Sequence, residues 1–265
     1  MGVVNITPDS FSDGGRFLSE AAAVAHARKL IEGGADILDI GGESTRPGAA
    51  PVSEAEELAR VAPVIEAIRR ESAIPISIDT MKPAVARAAV AAGATLWNDV
   101  MALGAPGALE TAAELGCEVI LMHMLGDPRT MQDDPRYDDV VEDVAARLMQ
   151  RVQAAVAAGV RREAIWLDPG IGFGKRMEHN LALLAHLDRL VGLGHRVLLG
   201  ASRKSFVRKI DPTAVAAEDR LGGSLAVVLA GARAGVAAVR VHDVRETAQA
   251  LKVQAAIDTA ASHGG

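Results

Sequence analysis

The chain has 265 residues, 49% apolar and 23% charged, with a formal net charge of −6 and 3% aromatics. That balance excludes a disordered chain, argues against nonspecific nucleic-acid binding and leaves too few rings for base stacking. No apolar run approaches the roughly 20 residues that span a bilayer. Residues 1–13 lack the basic-then-apolar pattern of a signal peptide. The one cysteine, Cys117, allows no intrachain disulfide and reads as a buried structural thiol. A cytoplasmic protein is expected.

Val3-Val4 closes a first, short strand. Helical spacing follows over residues 20–32, then a second strand at Ile37-Leu38-Asp39-Ile40. Ser53 before Glu54-Ala55-Glu56 reads as the N-cap of a helix over 54–70, with acids in its first turn. Ile76-Ser77-Ile78 is the third strand, followed by a helix over 82–92. Ala94-Thr95-Leu96-Trp97 is the fourth, followed by a shorter helix over 107–115. Val119-Ile120-Leu121-Met122 is the fifth, with a helix over 137–158. Ile165-Trp166-Leu167 is the sixth, with a helix over 177–190. Val197-Leu198-Leu199 and Ala238-Val239-Arg240-Val241 are the seventh and eighth, with helices over 221–234 and 244–261. Gly33, Gly93, Gly159 and Gly235 stand where helices end.

Continuous apolar runs of this length suit strands buried on both faces. Eight strand–helix units without a linker predict one domain over 1–265, an α/β fold of the (β/α)8 TIM-barrel type. The alternative is an open doubly wound sheet. It calls for a glycine-rich phosphate loop after the first strand, where this chain has Asn5-Ile6-Thr7-Pro8-Asp9-Ser10.

The polar residues collect at the C-terminal ends of the strands: Asn5, Asp39, Asp79, Asn98-Asp99, His123, Asp168, Ser202-Arg203-Lys204, and Arg240 with His242-Asp243. In a barrel these ends share one face, where active sites are built. Singly, each has an ordinary reading. Asp79 and Asp99 could cap helices, Asp168-Pro169-Gly170 could be a turn, and His123 could be a core histidine. Arg240 could pair with Asp243 or another acid. His26, His179, His186, His195 and His263 read as surface or helix-packing residues. The case for a site rests on eight loops behaving alike.

Carboxylates at barrel depth suit a heterocycle with adjacent N–H groups, since an aminopyrimidine donates two parallel bonds to one carboxylate. Arg240, His242 and Asn5, from neighbouring strands, suit a phosphate or pyrophosphate with Mg²⁺. Other chemistries are unsupported. The segment from Asp168 to Lys175 has Pro169 where a P-loop needs glycine, and Arg176 where it needs Ser or Thr. No His-x-His or His-Glu-x-x-His supports zinc. Ser202 has no base at a known nucleophile spacing.

These segments together resemble the dihydropteroate synthase family of pterin-binding enzymes. The matching stretches are 1–15, Asp39 to Gly48, Ile78-Asp79-Thr80, Asn98-Asp99-Val100, Met122-His123-Met124, Asp168 to Lys175, Ser202-Arg203-Lys204 and Arg240 to Val244. The resemblance implies a transferase that condenses 6-hydroxymethyl-7,8-dihydropterin pyrophosphate with para-aminobenzoate in folate biosynthesis. It implies that Asp79, Asn98, Asp168 and Lys204 grip the pterin between walls of Met122 and Phe173. Asn5, Arg240 and His242 would hold the pyrophosphate, with Asn5 on Mg²⁺. Phe11, Thr45, Arg46, Pro47 and Ser202 would build the para-aminobenzoate site, with Asp13 ordering its loop. Asp79, Asp168, Lys204, Arg240 and His242 would be catalytic. A sulfonamide-binding site, a homodimer through outer helices, and no nucleic-acid or membrane partner are also implied. The sequence starts directly on the first motif, where family members have preceding residues, so a very short first strand is expected, with either a trimmed start or a differently sealed barrel floor. Two rivals are a pterin-dependent methyltransferase, which would not need Thr45-Arg46-Pro47 or Ser202-Arg203-Lys204, and a noncatalytic pterin-binding barrel, which would lose Asn5, Asp13 or the pair Arg240 and His242.

Overall fold

The computed structural model describes residues 1–6, 15–44, 50–126, 131 and 133–262, and for residues 15–19 and 262 the backbone alone. In chain order the elements are β1 (Gly2–Asn5), α1 (Gly15–Glu32), β2 (Leu38–Gly41), α2 (Glu54–Glu71), β3 (Ile76–Asp79) and α3 (Pro83–Ala91). Next come β4 (Leu96–Asp99), α4 (Ala108–Leu115), β5 (Glu118–Met122), α5 (Val140–Ala157), β6 (Ile165–Asp168), α6 (Met177–Ala185) and α7 (Leu187–Val191). The chain finishes with β7 (Arg196–Leu199), α8 (Phe206–Ile210), α9 (Leu221–Ala234), β8 (Ala238–Val239) and α10 (Val244–Ser262).

Each strand pairs in parallel with the next, in the order β1 to β8. The ring closes where Gly2 bridges Val241, with Val3 N donating to Val241 O at 3.1 Å and Val241 N to Met1 O at 3.0 Å. The expected (β/α)8 barrel is therefore the observed one. β1 is as long as β2 and β3, so the very short first strand is not observed. β8 is shorter than expected, because Arg240 and Val241 leave the ladder with β7.

Alternation along the strands decides what faces inward. Ile40, Ile78, Trp97, Leu121, Leu167 and Leu199 join the large core between strands and helices. Their neighbours Leu96, Ile120, Trp166 and Leu198 join Met1 in a separate cluster inside the barrel. The inner floor is partly polar. Trp166 Nε1 and Arg196 Nη2 donate to the Glu118 carboxylate at 2.9 and 2.7 Å, and the Arg196 guanidinium lies 4.2 Å from the Trp166 ring centre. Glu118 and Arg196 begin their strands, so this cluster lies at the end opposite the strand C-termini.

Local signals account for most helix limits. Ser53 Oγ accepts from Glu56 N at 3.3 Å, a cap that contributes about 1 kcal/mol. α1 ends with its left-handed residue at Gly34 (φ +98°) and not at Gly33. The helix expected over 177–190 breaks at His186 (φ −123°, ψ 37°), whose Nδ1 lies 2.9 Å from Ala182 O. His195 is buried instead of surface or helix-packing, with Nδ1 3.3 Å from Ile165 O. His263 lies outside the described residues. Cys117 is half-buried, and burial pushes its thiol up to about 11, as a structural thiol requires.

Candidate active site

The register carries Asn5, Gly41, Asp79 and Asn98 side by side across β1 to β4. Met122 stands beside Asp168 across β5 and β6. These residues have the inward parity, near the strand C-termini. The guanidinium of Arg240 crosses from β8 to reach them. Its Nε donates to Asp39 Oδ2 at 2.6 Å and its Nη2 to Asp79 Oδ2 at 2.8 Å. Asn98 Nδ2 donates to the same Asp39 oxygen at 3.3 Å. Arg240 thus pairs with acids inside the barrel, while Asp243 pairs with Arg203 at 2.5 and 2.9 Å.

Burial pushes Asp79 up to about 7. Arg240 opposes this, and the nearby Asp39 adds to it. Burial works against the Arg240 charge, but Asp39 and Asp79 outweigh it and raise the guanidinium further. Asp168 is also raised by burial, against the pull of the Gly170 N–H and of Lys204. Its Oδ1 accepts from Gly170 N at 2.7 Å, and its Oδ2 has no hydrogen-bond partner among the described residues. Lys204 donates to Ile171 O and lies 4.3 Å from the Phe173 ring centre. Burial lowers its ammonium to about 8, with Asp168 pulling the other way. Two acids raised and an ammonium lowered by burial at one barrel mouth fit a polar heterocycle better than a structural salt-bridge array.

Parity also excludes residues that sequence position had placed at the mouth. Asp99 faces outward and caps its own loop, accepting from Met101 N and Leu103 N at 2.8 Å each. His123 turns onto Lys175, whose Nζ lies 2.9 Å from its Nδ1. Burial, then Lys175, lower His123 to about 3, so the ring is neutral. Lys175 is buried and also donates to Gly170 O at 3.0 Å and Phe173 O at 2.9 Å. It clamps the loop that carries Phe173 and supplies the Gly170 N–H to Asp168. Gly170 is required there: at φ +64° an added Cβ would stand 1.9 Å from His123 O. Sequence reading passed over Lys175 once the phosphate loop was rejected. The available signal was a lysine directly after a glycine-rich turn whose carbonyls need donors.

At β7 and β8, Ser202 Oγ lies 3.0 Å from His242 Nδ1 and accepts from His242 N at 3.2 Å. Arg203 holds a left-handed backbone (φ +58°), fixed by its ion pair and by its N–H to Ser224 Oγ at 2.9 Å. Below the β2 loop, Lys82 Nζ joins Glu43 at 2.6 Å and Glu57 at 2.5 Å. Glu43 in turn accepts from Val52 N at 3.0 Å, tying the loop's two ends together. Glu43, Glu57 and Lys82 were not singled out from sequence. Phe11, Asp13, Thr45, Arg46 and Pro47 lie outside the described residues. Asn5 is half-buried at the mouth; a Cβ on Gly41 would stand 3.8 Å from its Oδ1. Among the described residues no group of three or more His, Cys, Asp or Glu is placed to hold a metal.

The chain matches a family model described as pterin binding enzyme over residues 1–242. It is 49% identical over 253 residues to the dihydropteroate synthase of Escherichia coli K12, covering 96% of this chain and 89% of that one. It resembles the solved Xanthomonas albilineans dihydropteroate synthase with 4-aminobenzoic acid, with a TM-score of 0.92, 52% identity and coverage of 97% and 92%. A second structure from that organism, in complex with 7,8-dihydropteroate, gives a TM-score of 0.89, 48% identity and coverage of 97% and 92%.

Proposed function

The chain belongs to the pterin-binding enzyme family, and from that premise we propose how its barrel mouth serves the reaction. That reaction is the joining of 6-hydroxymethyl-7,8-dihydropterin pyrophosphate to para-aminobenzoate, a transferase step of folate biosynthesis that releases 7,8-dihydropteroate and pyrophosphate. The observation that carries the assignment of roles is the buried cluster in which Arg240 bridges Asp39 and Asp79 beside Asn98.

We assign Asp79, Asn98, Asp168 and Lys204 to the pterin ring, with Met122 and Phe173 as walls. A carboxylate receives two parallel hydrogen bonds from an aminopyrimidine, and both are strong when water is excluded. Lys204 donates to a ring acceptor. Asn5, Arg240 and His242 take the pyrophosphate end. The Asn5 amide oxygen is a hard donor. It suits Mg²⁺, which takes few protein ligands and completes its shell with substrate phosphates and water. When bound, Mg²⁺ would screen the charge of the leaving pyrophosphate. Ser202 is assigned to para-aminobenzoate, together with Phe11, Thr45, Arg46 and Pro47.

The bond from the pterin methylene to pyrophosphate breaks, and its electron pair departs with the pyrophosphate. Arg240 and His242 stabilise that developing charge, while Asp79 and Asp168 stabilise the positive charge left on the pterin. The aryl amine lone pair then forms the new C–N bond, and the amine sheds a proton. An aryl amine is unprotonated at neutral pH, so no residue is assigned as its base.

No helix among the described residues is long and apolar enough to cross a membrane. A cytoplasmic homodimer is proposed. Its self-association is supported by Val253 and Ile257, exposed one turn apart on α10. The test is dihydropteroate formation with and without Mg²⁺, beside Asp168→Asn. Mg²⁺-dependent turnover that the variant loses is the expected result. A folded protein that binds the pterin pyrophosphate but forms no product would refute the assignment.

A further inference from the structure

Among the described residues, Asp39 is a fully buried charged side chain of the barrel mouth that has no substrate role above. It lies one level deeper than Asp79, paired in register with Val3 and Ser77, and it is fully buried. One of its oxygens receives both Arg240 Nε and Asn98 Nδ2, and the other has no hydrogen-bond partner. A buried ion pair with an unsatisfied oxygen is a weak source of stability, because desolvation offsets much of the attraction. Its geometric effect is large. With Nε on Asp39 and Nη2 on Asp79, the Arg240 guanidinium has one orientation, which leaves Nη1 and the second Nη2 N–H as its remaining donors among the described residues. With Nδ2 held by a carboxylate, the Asn98 amide presents Oδ1, an acceptor, to the ligand.

We propose that Asp39 is a positioning residue: it aims Arg240 at the pyrophosphate end and fixes Asn98 as an acceptor for the pterin ring. The proposal rests on the assignment of Arg240 and Asn98 to the substrate. It accounts for a buried acid too deep to be assigned a substrate contact.

The test compares Asp39→Asn, Arg240→Met and the double variant. Thermal unfolding, kcat, the KM of each substrate and inhibition by inorganic pyrophosphate are measured for all three. Asp39→Asn should fold, lose about 100-fold in kcat/KM for the pterin pyrophosphate, and bind pyrophosphate more weakly, with the para-aminobenzoate KM unchanged. In the Arg240→Met background, Asp39→Asn should weaken pyrophosphate inhibition no further, as expected for residues acting as a unit. A lower Tm with wild-type kinetics and inhibition would reduce Asp39 to a structural residue, and additive effects would overturn its action through Arg240. If Arg240→Met alone leaves pyrophosphate inhibition intact, the underlying assignment of Arg240 fails, and the proposal with it. Should Asp39→Asn not fold, Asp39→Ala supplied with formate replaces it. Recovery of the pterin KM with formate supports the proposal. Folding without that recovery, or no folding, overturns it.

Discussion

Replacing Asp79 with asparagine should stabilise the fold above neutral pH while impairing the enzyme. In the folded protein burial lifts this carboxyl from 3.8 to about 7. At about 1.4 kcal/mol per pH unit the difference is about 4 kcal/mol. The side chain is 12% exposed, so solvent relieves part of that cost and about 2 kcal/mol is the working magnitude. The sign follows from proton binding. Between about pH 4 and pH 7 the folded protein keeps the proton that the unfolded chain releases. The stabilisation is therefore full below about pH 4, falls as pH rises through 7, and is flat above. Asparagine removes this dependence, keeps an acceptor for Arg240 Nη2, and leaves the Asp39 ion pair in place. Urea unfolding of both proteins at pH 5 and pH 8 measures it: that window covers about two of the three pH units, so the wild type should lose about 1 kcal/mol more than the variant between the two. Asp99, raised by burial to about 6, titrates in both and cancels in the difference. At the same time kcat/KM for the pterin pyrophosphate should fall about 10- to 100-fold, as a buried charge-assisted bond becomes a neutral one. Equal pH slopes in the two proteins, or a variant less stable at pH 8, would refute the reasoning.

Gly170→Ala should lose more than about 4 kcal/mol or fail to fold, given the 1.9 Å approach of its Cβ to His123 O; a thermal melt near that of the wild type would contradict this. Lys175→Met strands the carbonyls of Gly170 and Phe173 at about 1–3 kcal/mol each, partly offset by removing a buried amine. The measurements are the unfolding free energy, expected to fall, and the pterin KM, expected to rise as Phe173 loosens; an unchanged KM would show that the clamp does not reach the pocket. Arg203→Lys keeps the charge but loses the two-pronged pairing with Asp243. Steady-state assays should show kcat lowered about 10-fold with Tm little changed, and wild-type kinetics would mean that the β7 and β8 loops hold their register without it.

The barrel was readable because each strand buried on both faces leaves a continuous apolar run. Ile76-Ser77-Ile78, for example, became Ile76–Asp79. What the runs do not display is parity. Asp99 and His123 stand at strand ends just as Asp79 and Asp168 do, yet one residue of offset sends their side chains outward. Asp39 was counted among the polar strand ends but given no role, because its partner Arg240 lies 201 positions away and nothing local announces the contact. The five-residue α8 is too short to express a helical period. The break at His186 has no glycine or proline to mark it. The loops assigned to para-aminobenzoate were found by resemblance alone.

The floor of Glu118, Arg196 and Trp166 turns the barrel into a blind alley. Whatever reaches Asp79 and Asp168 arrives through the mouth and must leave by it. On the assignment proposed above, traffic would be ordered by depth: the partner that sits lower would enter first, and the pyrophosphate would leave by the same opening before the joined product withdraws. An enzyme built this way is open to blockade from above, since an occupant of the upper compartment alone would imprison whatever already lies beneath it.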